Sequence, residues 1–389
     1  MFIHELTLRG LLSFGPDTPP LPMEALNVLV GPNGSGKSNL LEALGLLRSA
    51  ATRLAAPMRG QGGGIGEWIW KGAPHAIASM DAVIANRAGK PPLRHRLDFR
   101  VDGQLFEVVD ERIENAQPLP GHNEPFFYYR FQEGSPVVSV RDSDQRRELQ
   151  RQTIAHDLSI LSQRRDPEEL PELAHLADRY ERIRLYREWT FGRNSVFRTP
   201  QAADLRGDIL EENLLNLGLF LNHLRGFPKA KTEIRLHLRD LYDGLDDFDV
   251  SVRGGTVEVF LTEGDFVFPA SRLSDGTLRY LCLLAILCDP NPPPLICLEE
   301  PELGLHPDLL PRLADLLLAA SQRTQLVVTT HSDILIDSLT DHPEYVVVCE
   351  KQNHQTTATR LSREKLGDWL KDYRLGELWT RGQIGGVRW

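Results

Sequence analysis

The stretch that decides the fold is Leu26–Asn39, which reads LNVLVGPNGSGKSN. Its first five residues predict a short buried strand. The next eight, Gly31–Ser38, match the phosphate-binding pattern G-x-x-x-x-G-K-[ST]. Leucines at helical intervals follow, so the pattern lies between a strand and a helix, which is the context that confirms it. The sequence therefore predicts a loop that wraps around the phosphates of a nucleotide.

Each part of this loop has a chemical reason. Glycines let backbone N–H groups turn towards an anion, and the helix N-terminus adds its partial positive charge. The Lys37 ammonium is expected to reach the β and γ phosphates, and the Ser38 hydroxyl is expected to ligate Mg²⁺. The predicted ATP-binding residues are Gly31, Pro32, Asn33, Gly34, Ser35, Gly36, Lys37, Ser38 and Asn39.

A second apolar strand, in PPLICLEE, ends in the adjacent acids Glu299 and Glu300. Carboxylates at the C-terminal end of a buried parallel strand point into the ligand crevice of the sheet. Their solvation cost there would be offset by a bound cation. We assign Glu299 to the Mg²⁺ and water shell and Glu300 to orienting or deprotonating the attacking water. The structural alternative is a pair of surface acids at a strand end.

Two further segments are weaker signals when taken alone. In RLSDGTLRYLCLLAIL, Ser274 is a capping residue at the start of an apolar helix, which by itself predicts only a capped core helix. In QLVVTTH, a strand ends at His331, which by itself predicts a hydrogen-bonded polar residue.

In this order, the four segments resemble the ABC-type ATPases. The similarity is greatest to the SMC, RecF and OLD branch and to the bacterial RecF-like AAA ATPases. LSDGT is similar to the LSGGQ signature of these enzymes, although Asp275 and Thr277 depart from the common letters. The opening LTLRGLLSFG, together with EEPELGLHP and TTHSDILID, is similar to segments of that branch. Glu299 stands where Asp is usual in the Walker B strand.

The resemblance implies a composite site shared by two subunits. The signature of one subunit would cover the γ-phosphate that the other subunit's loop holds, and the signature residues are Ser274, Asp275, Gly276 and Thr277. His331 would be the switch histidine, and Glu302–His306 would form the D-loop where subunits meet. The implied catalytic residues are Lys37, Glu300 and His331, with Ser38 and Glu299 at the metal. The implied assembly is a head-to-tail homodimer around ATP and Mg²⁺.

Pattern and resemblance together predict an α/β fold of the P-loop NTPase, ABC-ATPase head type. It has a parallel core sheet, an antiparallel β subdomain and a helical insertion. The expected regions are an N-terminal lobe at 1–140, a helical insertion at 141–240 and a C-terminal lobe at 241–389. The family's Q-loop glutamine is not placed by the sequence, and Gln132 and Gln163 are candidates. Fewer than sixty residues follow His331, so we expect no fused Toprim nuclease.

Composition and charge limit the possible binding partners and the cellular location. The net charge of −10 argues against nucleic-acid binding over the whole surface, so any DNA or RNA site is expected to be local. The start MFIHELTLRG lacks the features of an export signal, and the longest apolar run, Tyr280–Cys288, is too short to span a bilayer. We expect a soluble cytoplasmic protein without a membrane partner. Buried reduced thiols are expected at Cys282, Cys288, Cys297 and Cys349.

The insertion contains a mixture of basic and aromatic residues that could track a nucleic-acid backbone. Interleaved acids favour the alternative, which is a salt-bridged helical face with its aromatic residues in the core. The residues of the mixture are Arg179, Tyr180, Arg182, Arg184, Tyr186, Arg187, Trp189 and Arg193.

Three functions fit these observations. The first is an ATP-hydrolysing switch in DNA maintenance or antiphage defence, which acts with a separately encoded effector such as a nuclease. The second is the nucleotide-binding subunit of a membrane transporter. The third is an assembly scaffold that ATP occupancy gates.

Overall fold

The structure is a computed structural model that describes residues 1–59, 64–73, 76–103, 105–132, 135–139, 146–148, 155–190, 192, 195 and 198–386. The chain divides into two compact units. Unit 1 consists of Met1–Ile183, Glu344–Leu366 and Gly382–Trp389. Unit 2 consists of Arg184–Pro343 and Gly367–Arg381.

The strands are β1 (Ile3–Arg9), β2 (Leu21–Pro22), β3 (Leu26–Val30), β4 (Ala78–Ile84), β5 (Leu93–Asp102), β6 (Leu105–Asn115), β7 (Phe127–Gln132), β8 (Ser135–Ser139), β9 (Arg146–Glu148), β10 (Arg184–Tyr186), β11 (Gln201–Ala202), β12 (Leu245–Arg253), β13 (Thr256–Glu263), β14 (Phe266–Pro269), β15 (Leu295–Glu299), β16 (Gln325–Thr329), β17 (Val346–Gln352) and β18 (Gln355–Arg360). The α-helices are α1 (Lys37–Ala50), α2 (Ala56–Arg59), α3 (Ile160–Gln163), α4 (Pro171–Glu181), α5 (Leu217–Leu224), α6 (Pro228–Leu238), α7 (Asp275–Leu287), α8 (Leu310–Ser321), α9 (Asp333–Asp337), α10 (Arg363–Leu366), α11 (Trp369–Asp372) and α12 (Leu375–Thr380).

Unit 1 contains an antiparallel sheet with the strand order β2-β1-β4-β5-β6-β7-β8-β9. Alternate residues of β4 are buried, which is the pattern of a strand with one face in the core. On the opposite face, the Arg94 guanidinium of β5 donates hydrogen bonds to both carboxylate oxygens of Asp81 of β4. These strands form the antiparallel subdomain that alternation in the sequence predicts.

Unit 1 also contains the strand that precedes the phosphate-binding loop. All five residues of β3 are buried. β3 pairs in parallel with β17, which pairs antiparallel with β18. A strand that is buried along its whole length is covered on both faces, as in parallel α/β sheets. The loop after β3 therefore begins from a rigid element.

A buried polar network joins helices α3 and α4 to the antiparallel sheet of unit 1. The two ring nitrogens of His95 lie 3.0 Å from the Tyr180 hydroxyl and 3.1 Å from Glu111 Oε1. The same carboxylate accepts hydrogen bonds from the Ser159 hydroxyl and the Ile160 N–H. Each polar partner is thus satisfied inside the protein, as burial requires.

Unit 2 contains a parallel group in which β15 pairs with both β10 and β16. The helix α7 is buried from Leu278 to Leu287. A separate antiparallel sheet has the order β11-β13-β12, and β14 also pairs with β13. Because β15 and β16 are parallel and in register, their carboxyl ends bring the residues that follow them to one edge.

The region 141–240 differs in part from the helical prediction. It contains α3, α4, α5 and α6, but also the strands β9, β10 and β11, and β10 lies in parallel beside β15. Leu185 and Tyr186 of β10 are buried, and a three-residue strand is too short to show a two-residue period in the sequence. The strand is therefore fixed by tertiary pairing and not by local pattern.

The four cysteines are buried free thiols, as predicted. Across the parts of the chain that the structure describes, no helix combines the length and apolar character needed to cross a membrane.

Candidate functional site

The loop after β3 takes its shape from three glycines with positive φ angles, Gly31, Gly34 and Gly36. A Cβ atom on Gly31 would lie 2.1 Å from the carbonyl oxygen of Cys349. One on Gly36 would lie 2.0 Å from the hydroxyl oxygen of Thr356. Side chains cannot be accommodated at these two positions, so the close backbone turn depends on glycine.

The predicted phosphate-binding lysine lies inside this loop. Lys37 is buried, and its Nζ donates hydrogen bonds to the carbonyl oxygens of Gly31, at 2.7 Å, and Pro32, at 3.1 Å. Helix α1 begins at Lys37, and its N-cap residue Gly36 makes no side-chain capping bond. The N-terminal N–H groups of α1 therefore carry the partial positive charge that attracts an anion.

The loop also contains a buried hydroxyl group that could bind a ligand. The Ser35 hydroxyl is buried, and within the described residues it has no hydrogen-bond partner. A buried hydroxyl without a partner is costly, and a phosphate oxygen is a strong acceptor for it. Together with the glycine cradle and the Lys37 ammonium, this atom fits a phosphate group.

Two residues that the sequence did not single out brace the loop. Ser13 Oγ lies 2.7 Å from both the Asn39 side-chain nitrogen and the Thr356 hydroxyl oxygen. The Thr356 hydroxyl donates to the carbonyl oxygen of Ser35 at 2.8 Å. Ser13 lies in the opening segment LTLRGLLSFG and Thr356 in no quoted segment, and only the three-dimensional structure reveals that both contact the loop. The binding of ATP by Asn39 stays a prediction.

In unit 2, Glu299 is the last residue of β15 and Glu300 follows it. Glu299 Oε2 accepts a hydrogen bond from Arg187 Nε at 2.8 Å, and the Glu299 carbonyl accepts one from the Trp189 indole N–H, also at 2.8 Å. Glu300 has a φ angle of +46°, which is uncommon for a residue with a side chain. Its N–H donates to the Thr329 carbonyl of β16 at 3.0 Å.

The structure brings the predicted catalytic acid and the predicted switch histidine together. His331 Nε2 lies 3.4 Å from Glu300 Oε1, and about a third of each side chain is exposed. The Glu302 carboxylate fixes the histidine segment because it accepts the Thr330 hydroxyl, at 2.6 Å, and the His331 N–H, at 3.0 Å. Glu302 is buried, and its role in holding His331 was not foreseen from the sequence.

The signature segment forms the start of α7. The Ser274 hydroxyl accepts the Thr277 N–H at 3.0 Å, as the capping prediction requires. Asp275 pairs with Arg198 at 2.5 Å, and this hydrogen bond lowers the pKa of the carboxyl group. A Cβ atom on Gly276 would lie 2.8 Å from the Gly304 carbonyl oxygen, so the signature and the D-loop approach closely within this unit.

A cleft of about 320 Å³ opens beside the acid pair. It is lined by Arg187, Trp189, Arg279, Glu299, Glu300 and Leu303. Arg279 was missed, although one arginine in the apolar run LRYLCLLAIL signals a buried partner. Burial lowers the pKa of this guanidinium to about 10.

Of the two Q-loop candidates, the structure describes the side chain of Gln163 alone. Gln163 closes a local loop, because its side chain accepts the Ala155 N–H and donates to the Leu158 carbonyl. The Gln132 side chain lies outside the described residues. The residue that follows the strand beside β15 is Arg187.

The basic and aromatic residues of the predicted mixture mainly make contacts within their own units. Tyr180 and Tyr186 are buried. The Arg179 guanidinium lies 5.0 Å from the Phe2 ring centre, and Arg187 is bonded to Glu299. Arg193 lies outside the described residues. These contacts favour the interior alternative over a nucleic-acid track.

A family model described as "AAA domain, putative AbiEii toxin, Type IV TA system" matches residues 26–337. The chain belongs to this AAA-domain family. The matched range contains the phosphate-binding loop, the acid pair, the signature segment and His331. Comparison of the AAA-domain chain with curated proteins finds no match.

Solved structures with a similar fold are heads of SMC proteins. One is an SMC head bound to the C-terminal winged-helix domain of ScpA, with 18% sequence identity, 94% of this chain and 99% of that chain covered, and a TM-score of 0.53. Another is an SMC head domain with an extended coiled coil, bound to the C-terminal domain of ScpA and derived from Pyrococcus furiosus. Its sequence identity is 17%, the match covers 95% of this chain and 99% of that chain, and the TM-score is 0.53.

Family and fold together confirm two predictions. AAA-domain membership and the SMC-head fold bear out the predicted resemblance to SMC/RecF-like ABC-type ATPases, and the fold is that of a P-loop NTPase head. Nucleotide binding is what this fold and loop imply.

Proposed function

We propose that the chain binds ATP with Mg²⁺ at Gly31–Asn39 and hydrolyses it to ADP and phosphate. The observation that carries this proposal is the loop itself, which brings together glycine backbone, a buried ammonium and a Ser35 hydroxyl that has no hydrogen-bond partner among the described residues. Lys37 now bonds to two loop carbonyls. The phosphates of ATP would offer the ammonium stronger, charged acceptors.

The donor chemistry also fits Mg²⁺. This ion prefers oxygen ligands and in nucleotide sites binds one or two protein groups together with phosphates and water. The Ser38 hydroxyl and the Glu299 carboxylate are the groups that would hold it or its water. When bound, the ion neutralises the charge that develops on the phosphates.

For hydrolysis, we assign the attacking water to Glu300. A carboxylate at that position can orient the water and accept its proton. His331, at 3.4 Å from Glu300, would donate a hydrogen bond to the γ-phosphate. Lys37 would stabilise the same charge from the loop. Activity therefore depends on groups of the loop and on groups that follow β15 and β16.

We further propose that two copies assemble head-to-tail around ATP. Ser274 and Asp275 are exposed in the single chain, and Leu303 of the D-loop is 52% exposed. Exposed signature and D-loop residues support a role across a subunit interface. The signature of each copy would complete the site of the other with a serine hydroxyl and a helix N-terminus.

The biological setting we propose is antiphage defence or DNA maintenance, with a separately encoded effector such as a nuclease. The family description names a toxin of a type IV toxin–antitoxin system. That description supports the defence alternative, in which ATP turnover controls a harmful effector. Co-expression with neighbouring genes and affinity purification would test this setting, and purification of the chain without an effector or nucleic acid would count against it.

The core proposal is tested by steady-state ATPase assays on three proteins. The wild type should turn over ATP, Lys37→Ala should lose binding, and Glu300→Gln should bind ATP but hydrolyse it slowly. Glu300→Gln should also elute as an ATP-dependent dimer in size-exclusion chromatography with light scattering. Equal turnover in all three proteins would reject the proposal. A monomer of Glu300→Gln at saturating ATP would reject the dimer alone.

A further inference from the structure

Three consecutive backbone carbonyls, those of Glu299, Glu300 and Pro301 at the end of β15, accept hydrogen bonds from two side chains. The Trp189 indole donates to the Glu299 carbonyl at 2.8 Å. The Arg279 guanidinium donates to the Glu300 carbonyl at 2.7 Å and to the Pro301 carbonyl at 3.2 Å. The two side chains also contact each other, because the guanidinium carbon lies 4.7 Å from the centre of the Trp189 ring.

The segment that they hold is strained. Glu300 has a φ angle of +46°, a conformation that residues with a Cβ atom adopt only when the surroundings impose it. Its N–H is fixed by the Thr329 carbonyl and its C=O by Arg279. Without one of these bonds, the peptide can relax towards a common backbone angle, and the carboxylate would then point elsewhere.

Arginine suits this position better than other cations do. The Arg279 side chain is only 6% exposed, and a planar fork can serve two adjacent carbonyls while stacking on an aromatic ring. Lysine offers a point charge with neither feature. Burying a guanidinium against backbone carbonyls costs desolvation free energy, so a specific role for Arg279 is expected.

Arg279 is also the fifth residue of α7, whose first residues are the signature segment. The helix that carries the signature segment therefore also carries, one turn later, the arginine that bonds to the backbone beside Glu300. A displacement of α7 would change the support of Glu300 within the same subunit.

We propose that Arg279 and Trp189 are positioning residues that hold Glu300 in the conformation required for hydrolysis. This inference rests on the proposed ATPase function. It predicts that loss of either residue slows the chemical step and leaves ATP binding intact, because the two side chains hold the backbone of the acid pair.

The test uses Arg279→Lys, Arg279→Met and Trp189→Phe, with Arg323→Met as a matched control. Arg323 also donates to a backbone carbonyl, that of Leu287 at the other end of α7. For both Arg279 variants, kcat should fall about tenfold to hundredfold, the size expected when a catalytic group is misplaced. Trp189→Phe keeps the stacked ring and loses one hydrogen bond, so its kcat should fall less. The Kd of a fluorescent ATP analogue and the kcat of the control should stay within about twofold of wild type.

A second measurement separates positioning from general damage. In a Glu300→Gln background, Arg279→Lys should cause little further loss of kcat, because the group that it positions is already gone. If Arg279→Met unfolds, as circular dichroism would show, Arg279→Lys and Trp189→Phe still decide the matter. Full kcat in both of these variants overturns the inference, as does an equal loss with and without Glu300. Wild-type protein without turnover would instead overturn the proposed function and this inference with it.

Discussion

The substitution Gly36→Ala tests how the phosphate-binding loop is built. Gly36 has a φ angle of +99°, and a Cβ atom there would lie 2.0 Å from the Thr356 hydroxyl oxygen and 2.8 Å from Ser13 Oγ. Gly34 in the same loop has a φ angle of +78°, but nothing lies within 4 Å of its added Cβ atom. Gly34→Ala is therefore the matched control for backbone strain without a clash.

The expected magnitudes differ accordingly. A left-handed backbone costs a residue with a Cβ atom about 1–2 kcal/mol, which applies to both variants. Overpacking adds about 1–3 kcal/mol, which applies to Gly36→Ala alone. We therefore expect the free energy of unfolding to fall by roughly 1–2 kcal/mol for Gly34→Ala and by roughly 2–5 kcal/mol for Gly36→Ala.

The assay is urea denaturation without nucleotide, followed by far-UV circular dichroism. Thr356→Ala supplies a further check, because it removes the oxygen atom that the new methyl group would meet. The double variant Gly36→Ala/Thr356→Ala should be more stable than the sum of the single losses predicts, by about 1 kcal/mol. The reasoning is refuted if the two alanine variants of the loop are equally stable, or if the losses at Gly36 and Thr356 are additive.

Three further predictions concern buried groups. Burial raises the pKa of Cys288 and of Cys349 to about 12, so above pH 8.5 the unfolded chain loses these thiol protons while the folded chain keeps them. The free energy of unfolding should not depend on these thiols below that pH and should fall by about 1.4 kcal/mol per pH unit per thiol above it. The measurement compares urea midpoints at pH 8 and pH 10. The double variant Cys288→Ala/Cys349→Ala should show a smaller fall between these two pH values. Glu302→Ala should lower kcat about tenfold by releasing the His331 segment, and an unchanged kcat in the ATPase assay would contradict this role. Glu111→Ala should cost about 2–4 kcal/mol of stability, measured by urea denaturation, because it leaves the buried hydroxyl and N–H donors of its network without an acceptor.

The parts of the candidate site whose geometry the sequence predicted are those formed by residues that are adjacent in the chain. The loop Gly31–Asn39 is a local structure, since its strand, glycines and helix start are contiguous in the chain. Glu299 and Glu300 were predictable for the same reason, because a buried strand leads directly to them. The capping bond of Ser274 was also predictable from adjacent residues.

The supporting residues were not predictable because their partners are distant in the chain. Thr356 contacts Ser35 across more than three hundred residues, and Arg187 contacts Glu299 across more than one hundred. The sequence around Arg187 has a helical charge pattern, yet the preceding residues form a strand because β15 offers a parallel partner. Pairing across the sheet overrides the local preference, as is common for short strands.

The loop and the acid pair are stabilised by different means, and this has a consequence for a switch. The loop depends on glycine backbone in a tightly packed setting, so it is expected to keep its shape whether or not a nucleotide is bound. Glu300 depends on side-chain hydrogen bonds to a strained backbone, so small displacements of those side chains can move it. Under the proposed function, binding and hydrolysis can therefore be controlled separately. Substitutions at Gly36 should change affinity for ATP, whereas those at Arg279 should change turnover at constant affinity. If both sets of substitutions changed affinity and turnover together, binding and hydrolysis would not be controlled separately. The protein could then not remain in an ATP-bound state before hydrolysis.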